Sequence, residues 1–321
     1  MTRRYLILIS LLICCFVSRG QKQKKGFDFR FWEDSLISLR EQVMNNVSET
    51  ERLSLNEDFM YLLEKVLQED GSFKFPWDSV RNFSIVTSPD KLFRCFTWYV
   101  LKDDYSYENY GLLQVYSSER KHYMIIPLYD KRYSIDYPKT YVGNHNRWYG
   151  AVYYKVIPLE SGERTYYTLL GWNGNDIFTN EKIIEVLHFK NDMTPVFGAN
   201  IFKKYPEKCS RVILSYSKNA TMSLNYEYQS YNVGSGKRDP KTKQVVYDKV
   251  FAKMIVFDEL VPLSEEIPDL PSFRVPESSL NQGFVQDKGK WLFVQSVNRR
   301  NPDKPLPEYQ HKNRQIYVPN P

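Results

Sequence analysis

The sequence predicts a mainly β protein: an antiparallel β sandwich, barrel or set of meander sheets of about twelve strands, preceded by a pair of α-helices. Three observations carry this. Aromatic residues make up 16% of the chain, with 25 tyrosines, a composition that suits pleated strands better than helices. After Asn82 apolar residues recur with period two, in short runs bounded by turn residues. Before that point the period is helical.

The first helix rests on Phe29, Trp32, Leu36, Leu39 and Val43, which recur at intervals of three and four and so share one stripe. For the second, Ser54-Leu55-Asn56-Glu57 reads as a capping box, Phe59, Leu62, Leu63, Val66 and Leu67 as the apolar face, and Gly71 as the stop. Two short amphipathic helices must bury their stripes. The expected surface is one face or end of the β body, with Phe73, Phe75 and Trp77 extending the contact.

Strands are expected over 83–87, 93–101, 111–116, 122–128, 151–159, 165–170, 183–189, 196–201, 212–216, 223–228, 245–257 and 291–297. Ser161-Gly162 and Asn173-Gly174 read as tight hairpin turns, the latter the dipeptide that best tolerates positive φ at both positions. Segment 232–244 combines two glycines, Pro240 and four basic residues, and reads as a long, mobile hairpin loop. Prolines at 262, 268, 271 and 276 should keep that stretch extended and out of any central strand.

Ahead of the helices, Arg3-Arg4, an apolar run from Tyr5 to Val17 broken only by Ser10, and then Ser18-Arg19-Gly20 have the three-part grammar of a secretory signal, with the cut placed near Gly20. The run falls well short of the roughly 20 apolar residues that span a bilayer, so no transmembrane anchor is expected in the mature chain. Ile13 before Cys14 and Cys14 before Cys15 are not the small residues that lipid attachment requires. The organisation read from the sequence is therefore a signal peptide over 1–20, a helical segment over 21–80, an antiparallel β domain over 81–300 and a Pro-rich tail over 301–321.

Removal of 1–20 takes three arginines from the 44 basic residues and none of the 38 acidic ones, leaving a net charge of +3, which implies no nucleic-acid partner. The mature cysteines, Cys95 and Cys209, would either pair or sit as buried thiols in strands.

Catalytic grammar is sparse. None of the histidines, at 122, 145, 188 and 311, lies in a nucleophile context, and there is no G-x-S-x-G elbow. The acid pairs Asp258-Glu259 and Glu265-Glu266 point to opposite faces if they lie in strands, so neither is a catalytic dyad, and both read as solvated. Trp172-Asn173-Gly174-Asn175-Asp176 gathers oxygen ligands but lacks the later bidentate acid of a calcium loop, and a turn with Asx hydrogen bonds accounts for it. No metal or cofactor is expected. Gly143 to Gly150 is the more promising segment: His145, Arg147, Trp148 and Tyr149 would form a stacking platform with polar neighbours for a glycan or peptide.

Segments 92–98, 166–175, 182–187 and 255–258 (LFRCFTW, YYTLLGWNGN, KIIEVL and IVFD) resemble a group of uncharacterised exported β-rich proteins of Bacteroidota-type bacteria, over roughly residues 80 to 300. The resemblance implies a periplasmic or secreted address and no known activity. In that setting the N-x-Ser/Thr sites at Asn46, Asn82 and Asn219 lose their meaning as glycan acceptors. The function expected is a non-enzymatic binding or envelope-associated protein whose partner is a glycan, a peptide or an envelope protein. The alternative is a secreted hydrolase acting on glycans or peptides.

Overall fold

A computed structural model describes residues 27–298, so the signal-peptide reading of 1–20 and the tail reading of 301–321 fall outside the described residues. Strand accounts for 48% and helix for 18%, arranged as two N-terminal helices and three sheets, none of them a closed barrel.

Helix α1 (Phe29–Asn45) is capped by Asp28, whose carboxylate accepts from the Phe31 amide, and it buries Leu36 and Val43 as the stripe requires. Helix α2 (Glu49–Gln68) begins earlier than the Ser54 box implies. Its N-cap is Ser48, which accepts from the Glu51 amide at 3.4 Å. Ser48-Glu49-Thr50-Glu51 has the same S-x-x-E spacing, and its two acids sit in the first turn, where the helix dipole favours them. Gly71 follows at φ 92°, a conformation that disfavours any Cβ.

The first sheet is a four-stranded antiparallel meander of β1 (Ser84–Thr87), β2 (Phe93–Leu101), β3 (Tyr107–Ser117) and β4 (His122–Tyr129). One face carries Phe96, Trp98 and Leu112 against Leu36, Phe59, Leu63 and Trp77 of the helical segment. The opposite face carries Phe93, Cys95, Leu113 and Val115 against the second sheet. Covered on both sides, β2 loses the apolar-polar alternation of a half-exposed strand.

The second sheet comprises β5 (Gly143–Asn144), β6 (Val152–Ser161), β7 (Arg164–Asn173), β8 (Thr179–Phe189) and β9 (Pro195–Phe197). Gly198, at φ 95°, ends β9, so of the strand expected over 196–201 only 196–197 form, and β10 (Phe202–Lys203) is a separate strand beyond it. Strand β11 (Val212–Ser217) pairs with β8 antiparallel. Along β8, Ile183 and Leu187 point into the core shared with the first sheet, while Ile184 and Val186 point into a second core. A register shift between Tyr153 and Lys155 similarly lets β6 feed both cores, Tyr153 one way and Ile157 and Leu159 the other.

The third sheet closes that second core. It orders β10, β15 (Lys290–Val294), β14 (Arg274–Asp287), β13 (Val245–Pro262), β12 (Leu224–Arg238) and β16 (Val297–Asn298). Leu224, Ile255, Phe257, Phe284 and Trp291 face the second sheet. The molecule is thus a stack of helices, first sheet, second sheet and third sheet. The β10–β15 pair is parallel, the other ladders antiparallel.

Three expectations are corrected here. Residues 232–244 are largely not a loop: β12 and β13 continue through them to a turn at 239–244. The Pro-rich stretch does supply a central strand, since β14 lies between β13 and β15. Pro276 fits because β15 covers only Gly283–Asp287, so at Pro276 the strand is paired on one side and its missing N–H costs no ladder bond. Asp258 is buried, not solvated, and accepts from the Ser223 amide at 2.6 Å. Cys95 and Cys209 are free buried thiols in cores on opposite faces of the second sheet.

Candidate functional site

Residues 72–82 cross the helix-facing side of the first sheet beside the two helices, and two buried arginines hold them. Arg94, on β2 beside Phe96, is 4% exposed. Its Nη1 donates to the carbonyls of Ser72 (3.3 Å), Phe73 (3.1 Å) and Phe75 (2.8 Å), and its Nη2 to that of Pro76 (3.2 Å). The guanidinium also lies 5.0 Å from the Phe96 ring centroid and 5.8 Å from that of Phe73. Arg40, from α1, grips the other end: Nη2 donates to the carbonyls of Asn82 (3.0 Å) and Tyr99 (2.8 Å). Between them the Glu33 carboxylate accepts from the Ser79 amide at 3.3 Å.

Neither arginine has a carboxylate within ion-pairing distance among the described residues. Nε of Arg94 and Nη1 of Arg40 are buried without a hydrogen-bond partner. Burial pushes both guanidiniums down to about 10, because the charged form loses solvation. Carbonyl dipoles, and for Arg94 the faces of two aromatic rings, stand in for a counter-ion.

The segment is also strained. Trp77 and Asn82 take left-handed conformations, φ 54° and 52°. For a bulky side chain such as tryptophan this costs on the order of 1–2 kcal/mol. It is offset by full burial of the indole, by ring contacts with Phe29 and Phe75, and by a 3.1 Å bond from Nε1 to the Ser72 carbonyl.

A cleft of about 940 Å³ opens between this segment and the sheet. Its walls include Phe73, Phe75, Trp77, Phe83 and Ile85, and its charged members are Lys74, Arg81 and Arg94 against Asp78. Apolar rings with an excess of positive charge make a surface for an anionic group carrying a flat or apolar body.

The loop expected to form a stacking platform is divided by the structure. Trp148 is 0% and Tyr149 6% exposed, so neither ring is available as an external platform, and this reading is corrected. The reason is that both polar tips find partners inside. Trp148 Nε1 donates to the Tyr153 hydroxyl at 2.8 Å, and the Tyr149 hydroxyl to Glu181 Oε2 at 2.9 Å. The main chain is pinned as well: Trp148 N donates to the Tyr129 carbonyl, and Gly150 N to Asp130. A Cβ at Gly150 would come 2.2 Å from Asp130 Oδ2, so only glycine lets the chain pass. His145 stays half-buried, with burial pushing its imidazole below the ordinary range. Arg147 is exposed, its guanidinium 5.3 Å from the Tyr141 ring centroid.

At the 173–176 turn the oxygens serve the backbone. Asn173 Oδ1 accepts from the Asn175 amide, and Asp176 Oδ1 from the amides of Phe178 and Thr179. Positive φ falls on Asn175 and not on the Asn-Gly pair, because the connection spans 174–178 and not two residues. No group of three metal-ligating side chains occurs among the described residues.

Besides Glu33, the buried carboxylates that sequence reasoning did not single out are Glu181 and Glu185, both on the β8 face toward the first sheet. Glu185 pairs with Arg211 at 2.6 Å, both side chains fully enclosed. Glu181 accepts from Tyr149 and Ser215, and burial pushes its carboxyl up. Neither lines the cleft.

No known protein-family model, curated protein or solved structure matches this chain. The cleft residues were not read from the sequence either. One signal was present: Arg94 interrupts an apolar run, Leu92 to Trp98, in which a charge needs a specific partner.

Proposed function

We propose that this is an exported, non-enzymatic binding protein, periplasmic or secreted after cleavage near Gly20, and that the cleft beside Arg94 takes a small anionic ligand with an apolar or aromatic body. The observation that carries the reading is a buried guanidinium without a carboxylate partner, at the wall of an aromatic-lined cleft. An acidic sugar of a glycan or an acidic peptide side chain supplies such an anion, in keeping with the partner classes read from the sequence. The rival reading, a secreted hydrolase acting on glycans or peptides, draws less support. The enclosed carboxylates are all engaged: Glu181 and Glu185 by Tyr149, Ser215 and Arg211 in the interlayer core, Glu33 by the Ser79 amide and Asp258 by the Ser223 amide.

The test is a calorimetric titration with three probes: glucuronate, benzoate and a glutamyl dipeptide, set against their uncharged amide or alcohol counterparts. At least one acid should bind while its neutral counterpart does not. The exposed rim variant Lys74→Gln/Arg81→Gln should weaken that binding about tenfold without lowering the melting temperature, as loss of one or two charge-assisted contacts implies. Binding of neutral and acidic probes alike, or of none, would refute the assignment.

A further inference from the structure

We infer that the ribbon formed by residues 232–251 is an arm that docks the protein on an anionic lipid bilayer. This is independent of the cleft. Strand β14 accompanies β13 only from Met254 onward, and β16 meets β12 only at Ser230 and Tyr231. Among the described residues, the two strands between those points are paired with each other alone. No residue from 232 to 251 belongs to any of the hydrophobic clusters. From Tyr231 to Arg238 the arm extends about 23 Å at the usual strand rise. A two-stranded ribbon of this kind is marginal in water by itself.

Its side chains are unusual for such an exposed element. Register places Tyr247 opposite Gly234, Lys249 opposite Asn232 and Phe251 opposite Ser230, all on one face. Tyr247 is 61% and Phe251 55% exposed, Phe251 stacks on Tyr228 at 6.1 Å, and the Lys249 ammonium lies 5.2 Å from the Phe251 ring centroid. The other face carries Val233 opposite Asp248, with Val246 beside them, and both valines are exposed, as is Val245 on the Tyr247 face. Exposed apolar groups thus occupy both faces. A lipid interface can take up both faces at once.

Charge decides the kind of lipid. Segment 232–251 holds Lys237, Arg238, Lys241, Lys243 and Lys249 against Asp239 and Asp248, a net +3, which is half of the +6 of the whole chain. Two such arms repel each other, which disfavours self-association through them. Acidic headgroups complement them, each basic residue near the surface adding attraction while Tyr and Phe settle at the headgroup boundary.

The experiment is co-sedimentation of the full mature chain with vesicles of phosphatidylglycerol and phosphatidylethanolamine, and with vesicles of phosphatidylcholine alone. Binding to the anionic vesicles should exceed that to the neutral ones by at least about tenfold and weaken as salt rises from roughly 0.05 to 0.5 M. The tip variant Lys237→Glu/Arg238→Glu/Lys241→Glu/Lys243→Glu should lose on the order of 1000-fold or more in affinity. Tyr247→Ser/Phe251→Ser should also weaken binding, in a way that low salt does not restore. Because these side chains are exposed, both variants should keep the wild-type melting temperature. Equal binding to both vesicle types would overturn the inference. So would failure to bind either, capture by heparin without vesicle binding, or a dimer abolished by the tip variant in the absence of lipid.

Discussion

Replacing Arg94 by Met keeps the unbranched apolar stem of the side chain but removes the donors that hold the carbonyls of Ser72, Phe73, Phe75 and Pro76. A hydrogen bond from a charged donor contributes about 1.5–3 kcal/mol. Four such bonds do not add, because three share Nη1 and the carbonyls of Phe73, Phe75 and Pro76 are only part-buried and regain water when the donor leaves. Removing the charge also relieves a desolvation cost, the one that pushes the guanidinium down to about 10. The fully enclosed Ser72 carbonyl keeps two bonds, from Trp77 Nε1 and from the Phe75 amide. These opposing effects leave an expected destabilisation of about 2–4 kcal/mol for Arg94→Met. Arg94→Lys retains the charge but not the fork and should fall between it and wild type. Urea denaturation at pH 7, followed by tryptophan fluorescence, measures both; the slope with denaturant should be unchanged. A loss below about 0.5 kcal/mol for Arg94→Met would refute the idea that this guanidinium holds the 72–76 segment.

In the interlayer core, Glu185→Gln leaves the enclosed Arg211 without its counter-charge and should cost about 3–5 kcal/mol, read by the same denaturation. Lys182 titrates at about 8, lowered by burial and only partly restored by Asp258, whereas the ordinary value is 10.5. Between these values unfolding takes up a proton, so stability rises with pH. Lys182→Met should therefore be more stable than wild type at pH 7, by up to about 3 kcal/mol, and this advantage should shrink as pH climbs from 8 to 10.5. Melting curves across that range check it, and a constant difference would count against the assignment. Trp148→Ala should cost about 3–5 kcal/mol through the cavity it leaves, while Arg147→Ala next to it should change stability by less than about 0.5 kcal/mol. Comparable losses at the two positions would contradict the division of that loop into buried and exposed halves.

Much of the local structure was legible in sequence because it obeys short-range periodicity. The α1 stripe packs inward, with Leu36 and Val43 buried and Phe29, Trp32 and Leu39 half-buried, and β2 begins at Phe93 and ends at Leu101, bounded by the turn residues that precede and follow it. Where the pattern admitted two readings, non-local pairing chose. Asn232–Gln244 has the composition of a loop, yet Val245–Val250 opposite supplies partners, and the strands run on. Pro276 argues against a central strand, yet β15 stops short of it. Ser48 and Ser54 offer identical cap spacings, and only the helix that forms selects Ser48.

The sequence by itself determined the class: an amphipathic helical pair followed by short, aromatic-rich strands, since apolar periods of 3.6 and 2 act within a few residues of each other. Only the tertiary structure decided that Trp148 and Tyr149 are core, that Glu185 needs Arg211, and that Arg94 stands beside a cleft. These depend on which sheet covers which face, and that layering is set by contacts between residues tens of positions apart, such as Ser84 with Tyr153 and Thr168 with Trp291. A strand covered on both faces carries no alternation from which its neighbours can be read, so the site lay beyond any local pattern.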